Sequence, residues 1–251
     1  MKFRIIPILL YKSSSIVKTI NYESHRRVGD VPSTLRVFSR RQADELILID
    51  LDACNIGEIN KNLIFSAVQN SNMPLTMGGR LQSLASCTDL IRQGCDKLVF
   101  NTLYFDNKPI LKKITKELGS QAVVLSIDYT VSQGEVIVKS NNGSKVQSKN
   151  NLDEIVKEAE DLGVGEIILS NITQEGTLNG FDLKNIAHLP KLTKVPLLVS
   201  GGCKGTDDII AAYKLGFSGA CMSSIFFWQG DSIISIKKDL IKNGVNVRVP
   251  L

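Results

Sequence analysis

Two glycine pairs, Gly78-Gly79 and Gly201-Gly202, each directly follow a short apolar run. Glycine allows backbone N–H groups to approach a phosphate closely. Later apolar runs end in Asn101-Thr102 and Ser223-Ser224, whose side chains offer further donors, and Glu175-Gly176-Thr177 is placed to complete the second of the two groups. Each of these is equally a turn glycine or a helix cap; as a set they describe two anion pockets, suited to a long bisphosphorylated ligand. Asp128 closes another apolar run, a position from which a carboxylate moves protons. Asp50 and Asp52 close a further one. A partner acid is sought at the end of the first run, but the residues there are Leu10, Tyr11 and Lys12. At the opposite ends, Arg4, Glu45, Lys97 and Glu166 begin their runs with charges of alternating sign. They are expected to form a ring of salt bridges closing the base, and a stabilising polar plug is the plain reading of it.

The apolar runs at 3–10, 45–51, 74–77, 97–100, 122–127, 166–169, 195–199 and 220–222 are short and continuous, as strands buried on both faces must be. Between them, amphipathic segments predict helices at 31–41, 61–71, 83–93, 108–118, 152–162, 183–189 and 206–215, with a last one at 232–243. Eight such pairs in 251 residues are the arithmetic of an α/β protein of the (β/α)8 barrel type, one domain over 1–251. The two glycine pairs, and the segments around Glu45 and Glu166, repeat about 120 residues apart, so the barrel reads as two similar (β/α)4 halves. Residues 129–149 are the one long interruption. There Gly134 and Asn142-Gly143 flank an alternating run, which predicts a β-hairpin inserted after the fifth strand, either facing the site or decorating the surface.

Composition narrows the classes. Hydrophobic content of 43% and charged content of 22% exclude disorder and coiled coil. Residues 1–10 are too short an apolar run to cross a bilayer and lack a cleavage site, which places the chain in the cytoplasm, away from membranes. Five cysteines without a CxxC pair argue against disulfides and zinc, and His25 and His188 lack metal-ligand spacing; no metal or cofactor is expected. The net charge of +5 is spread along the chain without interleaved aromatics. That favours an anionic small molecule or a plain solvated surface over nucleic acid. Trp228 reads as packing or an interface anchor.

Arg4-Ile-Ile-Pro, Val17-Lys18, Gly29-Asp30, Asp44-Glu-Leu, Gly78-Gly79, Asp96-Lys97, Gly119-Ser-Gln, Ile127-Asp128, Gly165-Glu-Ile, Glu175-Gly-Thr, Ser200-Gly-Gly, Ser224-Ile-Phe and Gly244-Val-Asn-Val-Arg occur in order along the chain. Together they resemble the cyclase subunit of imidazole glycerol phosphate synthase over essentially its whole length. The resemblance implies a barrel that takes ammonia from a glutaminase subunit, docked as a heterodimer on the N-terminal face near Asp96 and Gln121. It implies that Arg4, Glu45, Lys97 and Glu166 are the ammonia gate. It also implies that Asp128 is one of an acid/base aspartate pair acting on a bisphosphorylated aminoimidazole intermediate, with Lys18 beside the substrate. Two departures stand out: Leu10 occupies the place of the other aspartate, and Arg80 replaces a third glycine in the first phosphate pocket. Leu10 to Lys12 and Val17 to Thr19 look like divergent paralogues associated with bacterial surface-sugar biosynthesis, in which ammonia passes to a sugar amidotransferase. The expectation is therefore an ammonia-transferring subunit for sugar amidation. The alternatives are a genuine histidine-pathway cyclase and a non-catalytic conduit that activates its glutaminase.

Overall fold

The structure, a computed structural model, describes residues 1–147, 151–228 and 232–251. Twelve strands form one sheet: β1 (Arg4–Lys12), β2 (Ser15–Ile20), β3 (Glu23–Gly29), β4 (Leu46–Asp50), β5 (Leu75–Gly78), β6 (Lys97–Phe100), β7 (Val123–Ser132), β8 (Glu135–Ser140), β9 (Lys145–Val146), β10 (Glu166–Asn171), β11 (Leu197–Ser200) and β12 (Gly219–Met222). Eight of them, β1, β4, β5, β6, β7, β10, β11 and β12, pair in parallel with their neighbours. The β12–β1 pairing closes the cylinder, so the chain is a (β/α)8 barrel.

Helices follow the strands because their apolar residues recur on one face. In Val31–Arg40 the buried residues are Val31, Thr34, Leu35 and Phe38, and Asp30 caps the first turn by accepting from Ser33 N. These faces and the outward residues of the strands make the main core. A second, smaller core fills the lumen: Ile6, Ile47, Val99, Val124, Ile168, Leu198 and Cys221, each from a different barrel strand.

The predicted helix at 183–189 is shorter, Leu183–Ile186, followed by a 3-10 turn at Leu189–Lys191. Strand β7 runs past the predicted end at 127 because its outer half pairs antiparallel with β8, turning at Gln133-Gly134. Short β9 adds to β8 within the expected insertion, and residues 148 and 149 of that insertion lie outside the described residues. A second hairpin, β2–β3, was not expected from the sequence. β2 pairs antiparallel with the end of β1, and β3 with β2. Its turns place Ser13, Ser14, Asn21 and Tyr22 at positive φ without a glycine. Cys54, Cys87, Cys95 and Cys221 are free thiols. Among the described residues no helix is long and apolar enough to cross a membrane.

Candidate functional site

Side chains alternate along a strand, so residues two apart share a face. That rule stacks three levels inside the barrel. On β1, Arg4 lies at the floor, Ile6 in the lumen core, and Ile8 and Leu10 along the mouth; on β7, Val124, Ser126 and Asp128 climb in the same way.

At the floor the four charges form a closed cycle. Arg4 Nη1 donates to Glu45 Oε1 at 2.8 Å and Arg4 Nη2 to Glu166 Oε1; Lys97 Nζ donates to Glu45 Oε2 at 2.7 Å and to Glu166 Oε2 at 3.2 Å. Burial alone would raise the Glu45 carboxyl pKa, but the hydrogen bonds from Lys97 and Arg4 hold it below its ordinary value. Arg4 Nε is buried without a partner among the described residues. Above the ring lies the apolar lumen layer, where Cys221 is near enough to feel all four charges.

The mouth opens as a cavity of about 620 Å³ whose wall reaches down to Ile47, Val99, Ile168 and Cys221 of that layer. One apolar storey therefore separates the cavity from the charged floor. On the rim, Gly79 has φ +142°, and a Cβ there would meet Asp50 O at 2.6 Å; a Cβ on Gly202 would meet Gly180 O at 2.3 Å. Both glycine pairs are thus required by packing and also line the cavity. Ser223 Oγ, also on the wall, is buried with no partner among the described residues, leaving a donor available to a ligand. Asn101, Thr102, Arg80 and Ser224 line the same space. Asn101 Nδ2 donates to Ser126 O at 3.0 Å and Thr102 Oγ1 accepts from Asn141 N at 3.2 Å, which ties the β7–β9 insertion to the rim.

Asp128 is buried. Its carboxylate accepts from Ser126 Oγ at 2.8 Å, and burial pushes its pKa up to about 6 against that hydrogen bond. Facing it, Leu10 lines the cavity and supplies no proton. Asp50 is occupied structurally, accepting from the backbone N–H groups of Asp52, Ala53 and Asn60, and Asp52 accepts from Ser13 N.

Glu175 requires a correction. A carboxylate donates nothing to a phosphate, and this one instead seats the unexpected hairpin. It accepts from Thr19 Oγ1 at 2.9 Å, Lys18 Nζ at 3.3 Å and Tyr22 N at 3.3 Å, while its carbonyl accepts from Asn21 N at 3.0 Å. Gly176 belongs to the same seat, since a Cβ there would strike Thr19 O at 2.3 Å, and the Thr177 hydroxyl donates to Gln174 O. Lys18 lines the same cavity and is buried, and desolvation lowers its pKa against the attraction of Glu175. The hairpin delivers Tyr22 as well, whose hydroxyl lies 3.2 Å from Ser170 Oγ. Tyr22 carried no sequence signal beyond its position three residues after Val17-Lys18-Thr19.

Asp96 and Gln121 are exposed, one just before β6 and the other just before β7, on the floor side. Asp96 accepts from Leu75 N and Gln121 donates to Leu118 O. A fully buried lysine near the floor, Lys237, donates to Asp44 Oδ1 at 2.6 Å and to Gln42 O at 2.7 Å. His25 and His188 are exposed. The Arg26 guanidinium packs 4.6 Å over the Trp228 ring, so Trp228 anchors the hairpin. Among the described residues no cluster of three His, Cys, Asp or Glu is placed to hold a metal ion.

The family described as "Histidine biosynthesis protein" matches residues 4–231. The imidazole glycerol phosphate synthase subunit HisF of Flavobacterium johnsoniae is 33% identical over 250 residues, covering 98% of both chains. One Campylobacter jejuni strain has two relatives. A protein provisionally designated imidazole glycerol phosphate synthase subunit hisF2 is 32% identical over 99% of both chains, and its subunit hisF1 is 31% identical over 98% of both.

Proposed function

Since this chain belongs to the histidine biosynthesis protein family, aligned end to end with imidazole glycerol phosphate synthase subunits, we propose that it is an ammonia-receiving barrel subunit. In this reading a glutaminase docks on the floor near Asp96 and Gln121, and ammonia passes the ring of Arg4, Glu45, Lys97 and Glu166. It then crosses the apolar layer and emerges beside Asp128. Three stacked levels support the route: a charged shutter, a dry storey and an open cavity. Ammonia is small and neutral, so an apolar passage admits it while excluding ions. The glycine pairs, Asn101, Thr102, Arg80, Ser223 and Ser224 hold a phosphorylated ligand across the mouth, where Arg80 adds a planar cation to the first pocket.

The acceptor we infer is a surface sugar, amidated through a partner amidotransferase, and the observation that carries this is Leu10. It lines the same cavity as Asp128 from β1, and a hydrocarbon side chain removes one of the two proton-transfer groups on which ring closure depends. Proton transfer contributes about 10²–10⁴-fold in rate. Purified chain given an ammonium salt and the bisphosphorylated aminoimidazole intermediate is expected to show negligible turnover; robust cyclisation overturns the amidation reading. The second reading, a histidine-pathway cyclase, is favoured by Asp128, whose pKa of about 6 suits acid/base work near neutrality. Under that reading the same assay gives product, and a glutaminase partner makes the reaction glutamine-dependent. In either case Arg4→Ala is expected to alter the glutamine-dependent rate and spare the ammonia-dependent one.

A further inference from the structure

The hairpin β2–β3 springs from the strand that carries Leu10 and reaches across the mouth to the opposite wall. It sets the Tyr22 hydroxyl 3.2 Å from Ser170 Oγ on β10, whose register partner on β7 is Asp128, and both Tyr22 and Asp128 line the mouth cavity. Tyr22 is held there firmly. Its φ is +65°, a left-handed conformation that a bulky residue adopts only when its surroundings impose it. The surroundings are the Glu175 carboxylate, which accepts from Tyr22 N, from Thr19 on the preceding strand and from Lys18, and the Glu175 carbonyl, which accepts from Asn21 N. Backbone strain, a three-donor latch and a phenol seated on Ser170, the strand neighbour of Asp128, converge on one residue.

We propose that Tyr22 is the positioning residue of Asp128: its hydroxyl donates to the Asp128 carboxylate, Ser170 in turn donates to the Tyr22 oxygen, and Ser126 fixes the other side. This rests on the reading of the mouth as the ligand site and deepens it. The proton-handling unit becomes a Ser170–Tyr22–Asp128 relay in place of two facing carboxylates. A carboxylate is the strongest acceptor within reach of the phenol, so the Tyr22 proton goes to Asp128, and the 3.2 Å contact with Ser170 Oγ has the serine as donor. The charged neighbours on the adjoining segments, Lys18 and Glu175, face each other. Among the described residues Asp128 forms no ion pair, so no cation does there what the phenol does.

The test needs no substrate. Asp128 is titrated in the intact protein by carboxyl ¹³C NMR, assigned by its loss in Asp128→Asn. The wild-type midpoint is expected near 6. Tyr22→Phe keeps the ring over the carboxylate and deletes only the donor, so the midpoint is expected to rise by about half a unit to one unit. An unchanged midpoint in Tyr22→Phe, with the fold intact by circular dichroism, overturns the proposal, because a merely space-filling tyrosine does not move it. Calorimetry of both proteins with ribulose 1,5-bisphosphate as probe separates the underlying reading from this one. Binding lost in wild type sinks the phosphate mouth, whereas binding equal in both proteins with an unshifted Asp128 sinks only the relay.

Discussion

The floor and the mouth of this barrel use ionisable groups in opposite ways. At the floor two cations and two carboxylates alternate so that each charge meets two of opposite sign, and burial is compensated by geometry. At the mouth the carboxylate of Asp128 is buried with a neutral donor, Ser126, Ser223 Oγ has no partner among the described residues, and Tyr22 sits in a strained backbone conformation. The floor's four charges are met by one another, with only Arg4 Nε left over, whereas the Asp128 carboxylate at the mouth meets no opposite charge among the described residues. Unmatched polarity at a cavity is what a binding site looks like before its ligand arrives.

The largest effect that sharpens this contrast is expected at the floor. Glu166→Ala leaves Arg4 and Lys97 short of a partner in a partly buried setting and is expected to cost about 3–5 kcal/mol, read by urea denaturation near pH 7. Because the folded pKa of Glu45 lies below its ordinary value, the ring's contribution is present above pH 4.5 and lost as pH falls below it. The penalty of Glu45→Gln should shrink in acid accordingly; a penalty that is flat with pH breaks the ring account. At the mouth the sign reverses. Asp128 binds its proton more tightly folded than unfolded, so its contribution is neutral below the unfolded value of 3.8 and unfavourable as pH rises through about 6. Asp128→Asn is therefore expected to stabilise the protein by about 2–3 kcal/mol at pH 8 and hardly at all at pH 3.5, while removing proton transfer. Destabilisation at pH 8 contradicts the comparison.

Smaller effects come from the mouth's scaffolding. Gly202→Ala places a methyl against Gly180 O at a φ of +94°, with an expected loss of about 2 kcal/mol and weakened binding of inorganic phosphate by calorimetry. Arg26→Ala removes the cation from Trp228, the chain's one tryptophan, and is expected to cost about 0.5–1 kcal/mol. Its emission should become more accessible to acrylamide; unchanged quenching detaches the hairpin from that anchor.

Much of this was readable before the coordinates. The floor ring was legible because its members are the first charged residues of continuous apolar strands, and Asp128 because it ends one. The β2–β3 hairpin was not legible. Type I′ turns announce themselves through Asn-Gly or Asp-Gly, and here Ser13-Ser14 and Asn21-Tyr22 fill the left-handed positions. With that hairpin unseen, Glu175 read as part of an anion pocket, and only its four donors in space assign it to the latch. Lys237 did leave a trace: it shares the buried stripe of Ile233–Lys242 with Ile233, Ile236 and Leu240, and a lysine on such a stripe requires a partner. The identity of that partner, Asp44, lies almost two hundred residues away.

Alternation and apolar periodicity determined the eight strands, their helices and the inward face of each strand, since these depend on neighbours in the chain. The tertiary structure alone decided which side chains meet: the closure of the four-charge cycle, the Glu175 latch and the placing of Tyr22 against Ser170. Those contacts join residues from separate strands and loops, and barrel closure brings them within hydrogen-bonding distance, a condition that no local pattern encodes.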